Sequence, residues 1–252
     1  MKFILLTISL LASSLLLAVE TYELRVYNLV SAEAAEQFDV WMKSGGMASF
    51  KAAGADTVGV FKPRADEDVD VNKRFVLATF DDLDDLKPNR IEPFLKTAKN
   101  EKAEAFLAGD KQNPSYTRVE TSLLTAARDF KQLKDPRGNG GKERFFELRI
   151  YESSSERLAA LKMDMFNDGG EIALFKETGL EIVFFGSARI AANFPQLTYM
   201  LVHENQEASD KSWKTFINSD GWQTMKAIPK YKGTVSKIHK HLLVALPYSE
   251  VR

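Results

Sequence analysis

YELRVYNL at residues 22–29 and FELRIYES at residues 146–153 write nearly the same strand twice, 124 residues apart (146 minus 22), with Glu, Arg and Tyr at alternating places both times. The same shift lays TVGVF (57–61) on EIVFF (181–185), FVLATF (75–80) on YMLVHE (199–204), and Gly45-Gly46 on Gly169-Gly170. Three strand-like segments and a breaker in one register indicate a tandem duplication whose unit is about 100 residues, an ordinary domain size.

Each unit reads strand, helix, strand, strand, helix, strand. In the first copy Ser31 can cap a helix whose apolar residues Ala34, Phe38, Trp41 and Met42 recur at helical spacing. The double glycine weakens or kinks that helix, and Gly54 ends it. Strands at 57–61 and 75–80 flank a charged, solvated loop, PRADEDVDVNK. FLKTAKNEKAEAFL supplies the second helix after Pro93, and YTRVETSLL (116–124) the fourth strand. The second copy repeats the scheme with helices near 155–178 and 207–227 and a last strand within 235–246. Between the copies, residues 128–144 carry three glycines, a proline and alternating charges, the composition of a linker. The domain plan is therefore a leader at 1–18, a first unit at 20–127, the linker, and a second unit at 145–252.

A βαββαβ unit is the ferredoxin-like arrangement, with both helices on one face of an antiparallel sheet. The other sheet face needs cover, and two units in one chain can cover each other. The fold class expected is α+β: two ferredoxin-like units closing an intramolecular barrel, helices outside.

Composition excludes several functions. The 252 residues are 44% hydrophobic and 27% charged, as in a globular chain with a core. With 34 basic against 35 acidic residues, the charge excess that phosphate-binding surfaces exploit is missing, so no nucleic-acid partner is expected. The absence of cysteine excludes disulfides, thiolate metal sites and catalytic thiols. No phosphate-cradling glycine loop, nucleophile elbow or dinucleotide fingerprint occurs, which argues against hydrolases and nicotinamide enzymes. The apolar opening MKFILLTISLLASSLLLAV, with one lysine and small residues near its end, has the pattern of a secretory signal peptide cleaved after Ala18. An uncleaved anchor would leave no linker between bilayer and domain, because Tyr22 opens a strand pattern at once. The mature chain is expected outside the cytoplasm, secreted or periplasmic, without a stable membrane anchor.

ELR-hydrophobic-Y at the head of a unit, LTYMLVHENQEASDKSWKTFINSDGW (197–222) and the terminal HLLVALPYSEV (241–251) resemble the NIPSNAP family. Glu147, Arg149, Tyr151, Trp213, Trp222 and Tyr248-Ser249 carry the resemblance in the second unit. The first unit keeps the strands but has no equivalent of the SDGW turn. The resemblance implies the dimeric α+β barrel fold and no established enzymatic activity. The family's best-known members are mitochondrial and discussed as interaction partners, a setting from which a secreted tandem form departs.

Residues two apart on a strand share a face. Phe146, Leu148 and Ile150 form an apolar stripe expected under the helices. Glu147, Arg149 and Tyr151, with Glu23, Arg25 and Tyr27, form a polar stripe expected inside the barrel, with Arg25 and Arg149 near the twofold axis relating the halves. Either these are ion pairs holding the halves in register, or Arg149 anchors a small anionic or carbonyl ligand. Tyr199 and His203 on the adjacent strand complete the candidate binding set. The three histidines, His203, His239 and His241, suggest a metal site, but the first strand of the unit stands between His203 and the other two, two strand spacings of about 4.8 Å away. No metal or cofactor is expected. Trp213, Phe216 and Trp222 read as core packing. Two functions remain: a small-molecule-binding or protein-interaction module, self-association included, and an oxidative enzyme, cofactor-independent or haem-dependent, working in the barrel interior. The lack of a recognisable catalytic constellation favours the first.

Overall fold

The computed structural model of the chain describes residues 19–66, 72–87, 100–136 and 144–252. The leader, the tip of the acidic loop, the opening of the helix after Pro93 and the middle of the linker lie outside the described residues.

The first half runs β1 (Thr21–Leu29), α1 (Ala32–Trp41), α2 (Met47–Ala52), β2 (Thr57–Pro63), β3 (Lys73–Phe80), α3 (Glu101–Leu107) and β4 (Tyr116–Ala126). The second runs β5 (Phe145–Glu152), α4 (Glu156–Phe166), α5 (Glu171–Glu177), β6 (Glu181–Ile190), β7 (Gln196–His203), α6 (Gln206–Asn218), α7 (Asp220–Ala227) and β8 (Lys237–Ala245). The eight strands close a barrel in the order β1-β3-β2-β8-β5-β7-β6-β4. Each half supplies four adjacent strands, its first strand lying between its third and fourth. The seams between halves pair Phe61–Pro63 with Leu243–Ala245 and Leu123–Ala126 with residues 186–190. Beyond β8 the chain straps across β2: the Val58 N–H donates to the Glu250 carboxylate at 2.7 Å and the Val60 N–H to the Ser249 hydroxyl at 2.9 Å.

Ser31 and Ser155 cap α1 and α4 through the N–H groups of Ala34 and Leu158. The two double glycines then diverge. Gly45-Gly46 lie in a π-helical turn, Met42–Gly46, that carries α1 on into α2. Gly170 instead takes a left-handed conformation at φ 84°, and α4 and α5 separate there. The helix runs on through a π-helical turn in one half and is broken in the other.

The strand faces are the reverse of the expectation. The barrel interior holds an apolar cluster from both halves, with Tyr22, Leu24, Phe61, Phe75 and Leu77 meeting Phe146, Leu148, Phe184, Met200 and Leu243. Phe61 packs on Phe146 at 5.0 Å and Tyr22 on Phe184 at 5.2 Å across the halves. Glu23, Arg25 and Tyr27, and Glu147, Arg149 and Tyr151, lie on the outer face under the helices, so Arg25 and Arg149 do not meet near a central axis. The physical reason is that the middle of the barrel, filled by that apolar cluster, gives charges neither water nor helix-borne donors, whereas helices packed on the outer face provide both.

The third strands register one residue differently from the sequence superposition. Arg25 pairs with Val76 and Arg149 with Tyr199, an offset of 123 (199 minus 76). A one-residue slip exchanges faces. Phe75 therefore points into the barrel, while Tyr199 packs under the second-half helices among Phe166, Phe175 and Phe185.

Candidate functional site

The second half places a continuous polar network beneath α6. Glu147 is its centre: the Arg149 Nε donates to Oε1 at 2.7 Å, the Trp213 Nε1 to Oε2 at 2.8 Å, and His203 Nε2 lies 2.9 Å from Oε2. The Arg149 guanidinium stacks on the Trp213 ring at 4.1 Å and donates through Nη1 to the Tyr151 hydroxyl at 3.2 Å. That hydroxyl shares a 2.8 Å hydrogen bond with Tyr199. The five second-half candidates, Glu147, Arg149, Tyr151, Tyr199 and His203, are thus brought together. Trp213, read from sequence as core, bridges them to the helix layer.

Electrostatics fix the charge states. Burial opposes ionisation of Glu147, but the hydrogen bonds from His203 and Trp213 and the Arg149 charge outweigh it and hold the carboxyl at about 2. With Glu147 ionised, the facing His203 Nε2 donates. Burial pushes the Tyr199 phenol well up, so it stays neutral.

A cavity of about 550 Å³ opens on one side of this network, between α4, α6, α7 and the segment leading into β8. Its walls include Arg149, Tyr151, Lys162, Glu171, Phe175, Trp213, Phe216, Trp222 and Tyr231, with Lys226 and Lys232 also lining it. Ile217 and Ile238 also line it, and both are about half exposed, at 49% and 50%. Sequence reasoning missed Lys162 and Glu171, which form a buried ion pair at 2.8 Å. One signal was available: Lys162 lies four residues after Leu158 and four before Phe166, on the inward stripe of α4, where a lysine is out of place.

The first half builds the same stripe differently. Arg25 donates to Glu23 at 3.0 Å and lies 4.9 Å over the Phe50 ring. Phe38, seven residues past its capping serine as Lys162 is past its own, packs on Tyr27 at 4.9 Å, Trp41 at 5.7 Å and Phe106 at 5.4 Å. Counting back from Phe50 and Phe175, whose carbonyls accept the equivalent turn bonds, Glu171 corresponds to Gly46. A Cβ there would stand 3.2 Å from the Trp41 ring. Where the first half places the packed Phe38, the second places the Lys162–Glu171 pair beside a cavity.

The histidines do not converge. β5 stands between β7 and β8, as expected, and among the described residues no cluster of three or more His, Asp or Glu side chains can hold a metal. His239 Nε2 lies 2.5 Å from Glu152. His241 packs on Phe75 at 5.1 Å, its Nδ1 buried without a hydrogen-bond partner. Burial, with Lys73 and His239 nearby, lowers its pKa to about 4. His239 and His241 line a separate cavity of about 230 Å³ together with Lys73, Glu120 and Gln196.

Residues 146–250 match the NIPSNAP family model. No curated protein matches the chain. Among solved structures, a provisionally named monooxygenase from Lactobacillus acidophilus NCFM aligns over 90% of this chain and 94% of its own, with a TM-score of 0.55 and 11% identity. A second so named, from Fusobacterium nucleatum subsp. nucleatum, aligns over 91% and 93% with a TM-score of 0.52 and 12% identity. A NIPSNAP-like protein from Burkholderia xenovorans aligns over 43% of this chain and 90% of its own, at a TM-score of 0.39 and 16% identity. At these identities the structural likeness is one of fold.

Proposed function

We propose that the chain, whose residues 146–250 match the NIPSNAP family model, is a binding module that holds a small molecule between the helices and the sheet of its second half. The observation that carries this is the Lys162–Glu171 pair beside a cavity in the second half, where the first half places the packed Phe38. The walls define the ligand: an aromatic or apolar body against Trp213, Phe216 and Trp222, and an acidic or carbonyl oxygen toward Arg149, Lys226 and Lys232. Arg149, held by Glu147, Tyr151 and Trp213, is preorganised and loses little freedom on binding. In this reading the halves are duplicated ferredoxin-like units, the first kept for closing the barrel and the second for the ligand.

A second reading rests on the Tyr151 hydroxyl, which lines the cavity beside the guanidinium and is backed at 2.8 Å by the buried Tyr199 hydroxyl. A phenol so placed can hold an enolate or phenolate oxygen for oxidation by dioxygen without a bound cofactor. That enzyme would work under the helices, not in the barrel interior. Ligand-dependent oxygen consumption separates the two readings.

The binding reading is tested by isolating the protein from its native host, unfolding it and identifying released small molecules by mass spectrometry. One equivalent of an aromatic or apolar acid or carbonyl compound per chain is expected; a chain that releases nothing counts against it. The leader supports a location outside the cytoplasm, with a mature chain starting near Val19. An intact form beginning at Met1 in a membrane fraction would contradict that location. A protein partner or self-association remains compatible with the exposed Ile217 and Ile238.

A further inference from the structure

Lys162 is the one buried lysine among the described residues, with 4% of its surface exposed. Its Nζ lies 2.8 Å from Glu171 Oε2 and 4.3 Å from the Phe166 ring centroid, with the Tyr151 and Trp222 rings at 5.8 and 5.9 Å. Both members of the pair line the same cavity as Arg149. The fold does not require them, because the first half places Phe38 and Gly46 at the corresponding positions. Taking two charges out of water is costly, and well-packed apolar side chains of similar volume usually serve stability as well or better. What the pair adds is chemistry: a primary amine, walled by apolar rings, with a carboxylate in contact to take its proton.

We infer that Lys162 forms a Schiff base with the carbonyl carbon of an aldehyde or ketone bound in the second-half cavity, with Glu171 as its proton acceptor. The inference rests on the binding reading above. Glu171 takes a proton from the Lys162 ammonium, leaving the neutral amine. The amine lone pair attacks the carbonyl carbon, the C=O π pair moves to oxygen, and a proton passes from the now cationic nitrogen to that oxygen, giving a carbinolamine. Loss of the hydroxyl as water, with proton return, leaves a protonated imine that again faces the Glu171 carboxylate. No oxidant or reductant is consumed. Burial raises the Glu171 pKa against the opposing pull of Lys162, which makes its carboxylate a better proton acceptor. Unlike the exposed lysines, Lys162 has apolar walls to hold an aldehyde against it.

The test uses the whole folded chain with benzaldehyde and sodium cyanoborohydride, adducts being located by peptide mass spectrometry. Lys162 should be benzylated about 10²-fold faster than exposed lysines such as Lys230, the low end of what a positioned proton acceptor supplies. Lys162→Met should lose that fast phase, and benzaldehyde quenching of Trp213 and Trp222 fluorescence in the unmodified chain reports binding separately. Quenching without a preferential adduct at Lys162 overturns the covalent inference and leaves the binding reading standing. Neither quenching nor adduct overturns both. Should Lys162→Met fail to fold, the adduct map of the unmodified chain decides by itself.

Discussion

Replacing Glu147 by glutamine keeps its shape and removes its charge, leaving the Arg149 guanidinium without the carboxylate 2.7 Å away. Two routes give the cost. The carboxyl lies at about 2 in the folded chain against an ordinary value of 4.5, a difference worth about 3 kcal/mol at neutral pH. Independently, breaking a buried ion pair by removing one partner costs about 3–5 kcal/mol, and Glu147 is nearly fully buried. The two agree at about 3 kcal/mol, which for a chain of this size lowers Tm by roughly 6–12 °C. The sign is set by the direction of the shift. A carboxyl depressed by folding stabilises fully above the unfolded value of 4.5 and loses that contribution as pH falls toward 2, so the gap between wild type and Glu147→Gln should close over that window. Urea unfolding of both forms, at pH 7 and at steps below 4.5, measures it. A difference under about 1 kcal/mol at pH 7, the range of an exposed pair, would mean that Glu147 and Arg149 do not act as a buried ion pair.

Trp213→Phe keeps a ring against Arg149 and removes the indole donor to Glu147; a loss of about 1.5–3 kcal/mol is expected in urea unfolding, the range for a hydrogen bond to a charged group. Phe146→Ala, inside the barrel against Phe61, should cost about 3–5 kcal/mol by opening a cavity at the junction of the halves, read by thermal unfolding. His241 is held neutral by burial, with a folded value of about 4 against an ordinary 6.5. Its contribution is therefore present above 6.5 and lost as pH falls toward 4, a slope that His241→Phe should abolish in stability measured across that range.

The order of elements and the closed barrel were legible because strand patterns and breakers are local signals. So was the separation of His203 from His239 and His241, which follows from strand order alone. Which stripe faced inward was not legible. Alternation shows that Glu147, Arg149 and Tyr151 share a face but not which layer covers it, and here helix-borne Trp213 supplies the partner that makes the outer face the better home for charge. The register of β7 was hidden for a related reason: the hydrophobic run 197–202 is buried on both faces, so its pattern carries no phase. Lys162 and Glu171 escaped because they are not adjacent in sequence, and only the turn at Gly170 brings them together.

On the proposed function, ligand enters under the second-half helices, away from Trp41. The three indole N–H signals report on it directly, Trp213 and Trp222 lining the cavity and Trp41 packed in the first half. Titration of nitrogen-labelled protein with a mixture of aryl carboxylates and aryl ketones should shift the Trp213 and Trp222 resonances and leave Trp41 in place. A Trp41 shift, or three unmoved signals at saturating ligand, would contradict it.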